Sequence, residues 1–164
     1  MQVEYLATMS LPNEEWDVNM LEEACWEAAR NAAKELFLRA LRQKEKKVLA
    51  KVEGEKKGEA RRYLTTRLGL VTFYRQKLGR QENGKNSYLY PLDRAIRLEP
   101  RQERTPWVKK RARELATRYT YREAASLLSV ELGEEISHYP IHRWVQRKGK
   151  GLKKRGRAKV AGYL

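Results

Sequence analysis

The spacing of apolar residues changes twice along this chain, and those changes constrain the fold more than any other feature. Between residues 13 and 50, small and aliphatic side chains recur every three or four positions, which predicts an amphipathic helix. Between residues 61 and 77 the spacing drops to two and β-branched and aromatic residues are frequent, which predicts a β-hairpin. Helical spacing returns at about residue 104. We therefore expect an α+β fold that is mostly helical.

The first segment, residues 1–52, is expected to form a long amphipathic helix. Asn13 or Asp17 can cap its start, and acidic residues in the first turns complement the helix dipole. Its alanine-rich stripe would let a second helix approach closely, either from this chain or from a second copy in a homodimer. The stripe comprises Val18, Leu21, Cys25, Ala28, Ala32, Leu36 and Ala40.

The second segment, residues 58–98, is expected to form a small β unit. A polar, glycine-containing linker at 51–58 precedes it, and Leu68-Gly69 supplies the hairpin turn. A loop at 79–86 follows the hairpin, and Pro91 ends the last strand. Asp93 and Glu99 are interpreted as local caps. The predicted strands are 61–67, 70–77 and 87–90.

The third segment, residues 104–148, carries explicit start and stop signals for three helices. Thr105 followed by proline is typical of an N-cap and first helical position, and Thr120 with Glu123 forms a capping box. Gly133 ends the second helix, and Ser137 can cap the third. Short helices joined by a glycine-containing turn predict a helix-turn-helix.

The third of these helices carries the candidate binding surface. If Ile141, Trp144 and Val145 face inward, the opposite side exposes basic, amide and aromatic side chains. Arginine can hold the edge of guanine with two hydrogen bonds, and glutamine can pair with adenine in the major groove. A solvated face of a helical bundle is the alternative. The candidate residues are His138, Tyr139, His142, Arg143, Gln146 and Arg147.

The charge of the chain points to a polyanionic partner. The 36 Lys and Arg residues exceed the 21 Asp and Glu residues by 15, and the first 35 residues hold only two of these bases. Such segregation favours a binding face over a uniformly basic surface. A basic tail over residues 149–164 is expected to be disordered alone and to follow DNA phosphates. The added candidates are Lys148, Lys150, Lys153, Lys154, Arg155 and Arg157.

The hairpin offers a secondary basic surface beside Tyr63, Phe73 and Tyr74. Basic and aromatic side chains on a sheet can stack single-stranded bases, although such aromatics are more often core residues. This surface and the tail leave open an RNA-binding or ribosome-associated protein, and the first helix leaves open a dimerisation module. The basic residues concerned are Arg61, Arg62, Arg67, Arg75 and Lys77.

Other classes of protein find little support in the sequence. His138 and His142 stand four residues apart, but no further ligand completes a site, so we expect no metal and no cofactor. The single cysteine, Cys25, is expected on a packed helical face. No signal peptide is recognisable, and no apolar run approaches the roughly 20 residues that cross a bilayer. We expect a cytoplasmic, nucleoid-associated protein without membrane contact.

Four sequence blocks resemble a known family. The runs RRYLTTRLGLVTFYRQ, YLYPLDRAIRLEP, YREAASLL and SHYPIHRWVQ are similar, in order and spacing, to the amino-terminal half of a bacterial DDE-type insertion-sequence transposase family, formerly catalogued as uncharacterised. The resemblance implies a small β unit followed by a DNA-recognising helix-turn-helix. It also implies double-stranded DNA, namely the terminal inverted repeats of the element, as the partner.

The catalytic part of that family is not apparent in this sequence. Members continue into a ribonuclease-H-like domain whose carboxylates hold two Mg²⁺ ions, whereas this sequence has no acidic residue after Glu135. We therefore expect no catalytic residues and no enzymatic activity here. We therefore expect the protein to be a truncated transposase, a separate non-catalytic subunit or a regulator that competes for the repeats.

Overall fold

The computed structural model describes residues 17–82 and 85–147 and has the expected α+β fold with a long first helix. Within this described part, no helix combines the length and apolar character needed to cross a bilayer. The elements are α1 (Val18–Leu49), β1 (Glu55–Thr66), β2 (Gly69–Glu82), β3 (Lys85–Leu89), α2 (Pro91–Ala95), α3 (Pro106–Leu115), α4 (Tyr121–Leu132) and α5 (138–147).

The chain divides into two compact units. The first takes the described residues up to Leu64 together with Val71–Gln102, and the second takes Thr65–Leu70 together with the described residues from Glu103 onward. The tip of the hairpin therefore belongs to the second unit, together with the helices after Glu103. This division groups α1 with the sheet, whereas the sequence pattern suggested separate helical and β segments.

The first unit contains most of a three-stranded antiparallel sheet in the order β1-β2-β3. Leu78 of β2 lies opposite Leu89 of β3, and Gly79 lies opposite Tyr88. The strands extend beyond their apolar stretches, since β1 begins inside the predicted linker and β2 continues into the predicted loop as far as Glu82. Backbone pairing with a neighbouring strand sustains these polar ends, which side-chain patterns do not reveal.

The hairpin tip turns one residue earlier than expected, at Arg67 and Leu68. The hydroxyl of Thr66 donates to the carbonyl of Gly69 at 3.0 Å and accepts from the amide of Leu68 at 3.0 Å. Gly69 has a φ of 94°, which side chains with a Cβ rarely adopt. These bonds fix a tight turn.

The core of the first unit forms where the second half of α1 meets the sheet and α2. Its buried side chains are contributed by several elements, with Phe37 and Leu38 packed against them. The prediction that α1 packs through Leu36 and Ala40 was off by one residue, because the bulkier side chains next to them face the core. The buried members are Leu41, Leu64, Phe73, Leu92 and Leu98.

The first half of α1 differs from the prediction more strongly. Cys25, expected on a packed face, is exposed. Val18 and Trp26 are 70% and 66% exposed, and Met20 is 45% exposed. The guanidinium of Arg30 lies 5.8 Å from the ring centroid of Trp26. Of the predicted stripe in this half, Val18 and Cys25 are exposed and Leu21, Ala28 and Ala32 are partly buried, whereas Met20 and Trp26 were not part of the stripe.

Helix α2 was not predicted. Pro91, expected only to end a strand, occupies the first turn of this short helix, where the missing amide costs no hydrogen bond. Asp93 is not a local cap: its side chain is only 11% exposed and forms an ion pair with Arg75. The pair joins residues 18 positions apart (93 − 75), so local sequence gives no signal for it.

The second unit is a capped bundle of α3, α4 and α5. Val108, Ala112, Ala124, Leu128 and Ile141 are among its buried side chains, with Trp107, Tyr121 and Trp144 packed around them. Alanines at the helix contacts allow close approach. At the hairpin tip, the amide of Thr65 donates to the carbonyl of Glu103 at 2.8 Å, and the amide of Thr105 donates to the carbonyl of Thr65 at 3.0 Å.

The predicted helix ends are confirmed. Thr105 caps α3 with Pro106 in the first turn, and Gly133 ends α4 in the left-handed conformation with a φ of 64°. Thr120 and Glu123 form both bonds of a capping box. The amide and hydroxyl of Thr120 donate to the Glu123 carboxylate at 2.9 and 2.8 Å, and these bonds lower the pKa of Glu123.

Candidate nucleic-acid interface

Helix α5 presents its polar face to solvent. Ile141 is fully buried, and Trp144 and Val145 are partly buried on the same side. Every candidate residue on the opposite side is exposed, with Tyr139 at 61%. The inward and outward sides of the helix are thus as the sequence predicted; the binding role of the outward side stays a prediction. The exposed residues are His138, Tyr139, His142, Arg143, Gln146 and Arg147.

The turn before α5 is held by Ser129 of α4. Its hydroxyl donates to the carbonyl of Ala125 at 2.8 Å and accepts from the amide of Ile136 at 2.8 Å. Ser137 accepts from the amide of Tyr139 at 3.4 Å, as expected for a residue that caps this helix. Because both ends of the turn are tied, the position of α5 on the bundle is fixed.

Two further contacts position α3 and α5 within the second unit. The guanidinium Nε of Arg111 on α3 donates to a carboxylate oxygen of Glu131 on α4 at 2.8 Å, and this bond raises the pKa of Arg111. The guanidinium of Arg104 lies 5.6 Å from the ring centroid of Trp144. A cation over the indole face is a favourable arrangement that orients the partly buried side of α5.

Two of the exposed side chains on α5 are themselves oriented by aromatic contacts. The ring of His142 meets the ring of Tyr121 edge to face, with centroids 5.3 Å apart. The guanidinium of Arg143 lies 5.8 Å from the ring centroid of Tyr139. Such contacts reduce the conformational entropy that these side chains would lose on binding. His142, Arg143, Gln146 and Arg147 line one shallow depression.

The charge on this face is positive along the helix and mixed at its start. Residues 138–147 contain no acidic side chain. Glu134 and Glu135 precede the helix, and a carboxylate oxygen of Glu134 accepts from the hydroxyl of Thr65 at 3.2 Å. The basic end of the face therefore lies toward Arg143 and Arg147, where a negatively charged backbone is best accommodated.

Arg122 is a candidate that the sequence analysis did not identify. It is exposed in the first turn of α4, next to Tyr121, which contacts His142 of α5. In helix-turn-helix proteins the first helix of the motif crosses the phosphate backbone while the second enters the groove. The capping box was the available signal, because it placed Arg122 in the first helical turn.

The secondary basic surface predicted on the hairpin is only partly present. Arg61 lies over Tyr63 with 4.6 Å between guanidinium and ring centroid, and Lys77 lies over Tyr88 at 3.5 Å. Arg67, in the helical unit, lies over Trp107 at 5.2 Å. Each of these three cations is paired with an aromatic ring, and Tyr63 is 45% exposed.

Arg75 is buried rather than exposed on that surface, and Arg62 is partly buried. The guanidinium of Arg62 donates to the carbonyls of Glu99 and Gln102 at 2.9 and 2.8 Å, so it holds the loop that follows α2. The side chain of Arg75 is only 8% exposed. Burial lowers the pKa of Arg75, and the nearby charge of Arg62 lowers it further. Arg75 faces inward because it alternates with the buried Val71 and Phe73 on β2.

Among residues 17–82 and 85–147, no group of three or more His, Cys, Asp or Glu side chains could hold a metal ion. The tail candidates lie outside the described residues, so their DNA contacts stay a prediction. These are Lys148, Lys150, Lys153, Lys154, Arg155 and Arg157.

Comparison of the sequence with known proteins identifies its family. The model of the uncharacterised protein family UPF0236 matches residues 12–161. The chain belongs to this family. A relative described as "UPF0236 protein in vanSb 3'region", from Streptococcus gallolyticus, is 36% identical over 93 residues. That match covers 57% of this UPF0236 chain but only 20% of the relative, so the chain spans a small part of the relative's length. No solved structure matches it.

Proposed function

We propose that this UPF0236 chain binds double-stranded DNA sequence-specifically through the exposed face of α5. The observation that carries the proposal is the combination of a buried Ile141 with outward Arg143 and Gln146 on a helix fixed by a capped turn. Arginine and glutamine at successive turns present donors and acceptors suited to base edges in the major groove. The net charge of +15 supplies the attraction to phosphates that any such protein needs.

In this proposal the contacts divide between positioning and recognition. Arg143 pairs with the O6 and N7 atoms of a guanine. Gln146, about one turn further along α5, pairs with an adenine. Arg122, in the first turn of α4, contacts a phosphate and fixes the register of the protein on the duplex. The basic residues after Arg147 add affinity without sequence information.

We further propose that the chain is the target-recognising amino-terminal part of a transposase. The support is the resemblance of its four sequence blocks to DDE-type insertion-sequence transposases. The short share of the Streptococcus gallolyticus relative that the match covers also leaves room for a separate catalytic region in proteins of that length. The terminal inverted repeats of such an element are the proposed target, and association with the nucleoid follows from that activity.

The test is selection of bound duplexes from a random pool, followed by titration with the selected and a scrambled duplex. Arg143→Ala and Gln146→Ala should each reduce the preference for the selected duplex by about 10-fold or more, the value of one bidentate base contact. Arg97→Ala, which removes an exposed arginine of the first unit, is the matched control and should leave the preference unchanged.

A second arm separates recognition from general affinity. Changing Lys153 and Lys154 to Gln should weaken binding to both duplexes equally. The slope of log affinity against log salt concentration should fall in magnitude by about one unit per lost phosphate contact. Equal affinity of the unaltered protein for every duplex would contradict the proposal. Stronger binding of structured RNA at matched salt would instead favour an RNA-binding protein, with Arg61, Lys77 and their aromatic partners as its surface.

We also propose that two copies associate through the first half of α1. The exposed Val18 and Trp26 favour this arrangement, since apolar side chains of this size gain free energy when they are removed from water. Dimeric helix-turn-helix proteins place their recognition helices in successive major grooves, so a dimer would recognise a site with two halves.

A further inference from the structure

The first unit contains a second concave site, distant in sequence from α5 and lined by arginines. A cavity of about 640 Å³ lies among β1, β2, β3, α2 and the loop that follows α2. Four arginines and one carboxylate line it, which leaves a net charge of +3 (4 − 1) among its charged residues. Its volume is within the range of small-molecule pockets. The lining side chains that carry the argument are Arg62, Arg75, Arg94, Arg101, Tyr88 and Asp93.

Two arginines at this site are held rigidly but keep unused donors. Arg75 pairs with Asp93, and its guanidinium lies 3.9 Å from the ring centroid of Tyr90. Arg62 donates to two backbone carbonyls. Nevertheless the Nε atoms of both arginines are buried without a hydrogen-bond partner among the described residues. A buried donor in this state carries a desolvation cost, so both guanidinium groups are poorly solvated at the wall of the cavity.

The electrostatics of the site favour an anion. Arg62 and Arg75 lie close enough for one charge to lower the pKa of the other, and Asp93 neutralises only one of them. Arg94 on α2 and Arg101 in the following loop are exposed at the same cavity and carry further positive charge. Phosphate oxygens match this donor set, because guanidinium groups bind them through two parallel hydrogen bonds.

One aromatic side chain extends the site beyond a phosphate. Tyr88 is 55% exposed at the cavity, and the ammonium of Lys77 lies 3.5 Å from its ring centroid. Because Lys77 covers one face of the ring, a nucleobase would stack on the opposite face while the arginines hold the attached phosphate.

We propose that this arginine cavity binds the phosphate of a nucleotide, with the base stacked on Tyr88. The inference is independent of DNA recognition by α5, because every residue of the cavity belongs to the first unit. The nucleotide is either a free mononucleotide or one unit of a single strand, and both present the same phosphate chemistry.

The experiment titrates the full chain with inorganic phosphate, adenosine 5'-monophosphate and a short single-stranded oligothymidylate by calorimetry. Arg94→Gln and Arg101→Gln should each weaken binding about fivefold or more, as expected when one charged hydrogen bond is lost at a partly hydrated site. Both positions are exposed, so these variants should fold even if a change at Arg75 did not.

Arg97→Gln is the matched control. Arg97 is exposed, follows α2 closely, and shares with Arg101 a left-handed backbone, with φ values of 55° and 59°. It does not line the cavity. Its substitution removes the same charge and should change binding by less than about twofold if the effect is local rather than a screened long-range one.

The three ligands distinguish a free mononucleotide from a nucleotide within a single strand. Arginine-dependent binding of the mononucleotide assigns the site to free nucleotides, whereas dependence seen only with the oligothymidylate assigns it to a strand. Equal weakening by the Arg97 and Arg101 substitutions, or no binding of any of the three ligands, overturns the proposal. An Arg143→Ala chain that keeps mononucleotide affinity separates this site from the DNA surface on α5.

Discussion

Arg75 and Asp93 form a charged pair that is almost completely removed from water in the first unit. Their side chains are 8% and 11% exposed. Transfer of two charges from water into a protein interior costs several kcal/mol per ion, and only mutual pairing offsets this cost. The ring of Tyr90 covers the guanidinium of Arg75 and adds a cation-π contact. The pair therefore connects β2 to α2 only as long as both members are present.

Removal of one member of this pair should destabilise the protein strongly. We expect Asp93→Ala to lower the free energy of unfolding by about 3–5 kcal/mol, because Arg75 would remain buried and uncompensated. Urea denaturation followed by circular dichroism measures the loss. Glu55→Ala removes a carboxylate that is 73% exposed beside Lys57 and should change stability by less than about 0.5 kcal/mol. Similar losses for the two variants would show that the buried pair contributes nothing special.

The inward position of Arg75 was partly encoded in the sequence. Val71, Phe73 and Arg75 alternate on one face of β2, so the period of two already placed the arginine on the apolar side. Its partner could not be found in the same way, because Asp93 lies on a short helix that no apolar period announces. Arg143 and Gln146 were predictable as exposed residues, since their helix has a clear apolar side marked by Ile141 and Trp144.

Among the helices and strands, the elements with local signals were predicted well. A cap involves residues three or four positions apart, so Thr105, Thr120 and Gly133 determine helix ends almost independently of the rest of the fold. The ends of β1 and β2 depend instead on hydrogen bonds to the backbone of the neighbouring strand. The sequence analysis therefore predicted both strands too short. The exposure of the first half of α1 was also missed, because periodicity does not reveal whether a partner covers an apolar face.

The hydroxyl of Ser129 holds the amide of Ile136 in the turn that joins α4 to α5, and this makes Ser129 a sensitive position. Ser129→Ala leaves the amide of Ile136 without its partner, and we expect a loss of about 1–2 kcal/mol in stability. DNA affinity should fall further than stability predicts, because the start of α5 would no longer be fixed. Ser126→Ala, on the exposed side of the same helix, is the control. Unchanged melting and binding of the Ser129 variant would contradict this role.

At the scale of the whole molecule, charge and apolar exposure are distributed unevenly. The first 35 residues contain eight acids, whereas the strongly basic residues lie downstream. The exposed apolar side chains of α1 lie within this acidic part.

A substitution at Trp26 tests the association of two copies through α1. Trp26→Glu should convert a dimer into a monomer at micromolar concentration, since a charge replaces a large apolar side chain that is 66% exposed in the single chain. Light scattering gives the mass, and circular dichroism checks that α1 persists. Glu27→Gln, at the next and also exposed position, should leave the mass unchanged. A monomeric mass for the unaltered protein would contradict the association.

The second unit is not a continuous stretch of chain. It uses residues 65–70 of the hairpin tip, whose Thr65 bonds to Glu103, Thr105 and Glu134. A gene fragment that encodes only the three helices would therefore lack part of its own scaffold. Transfer of the second unit to another protein would therefore have to include the hairpin tip together with the three helices.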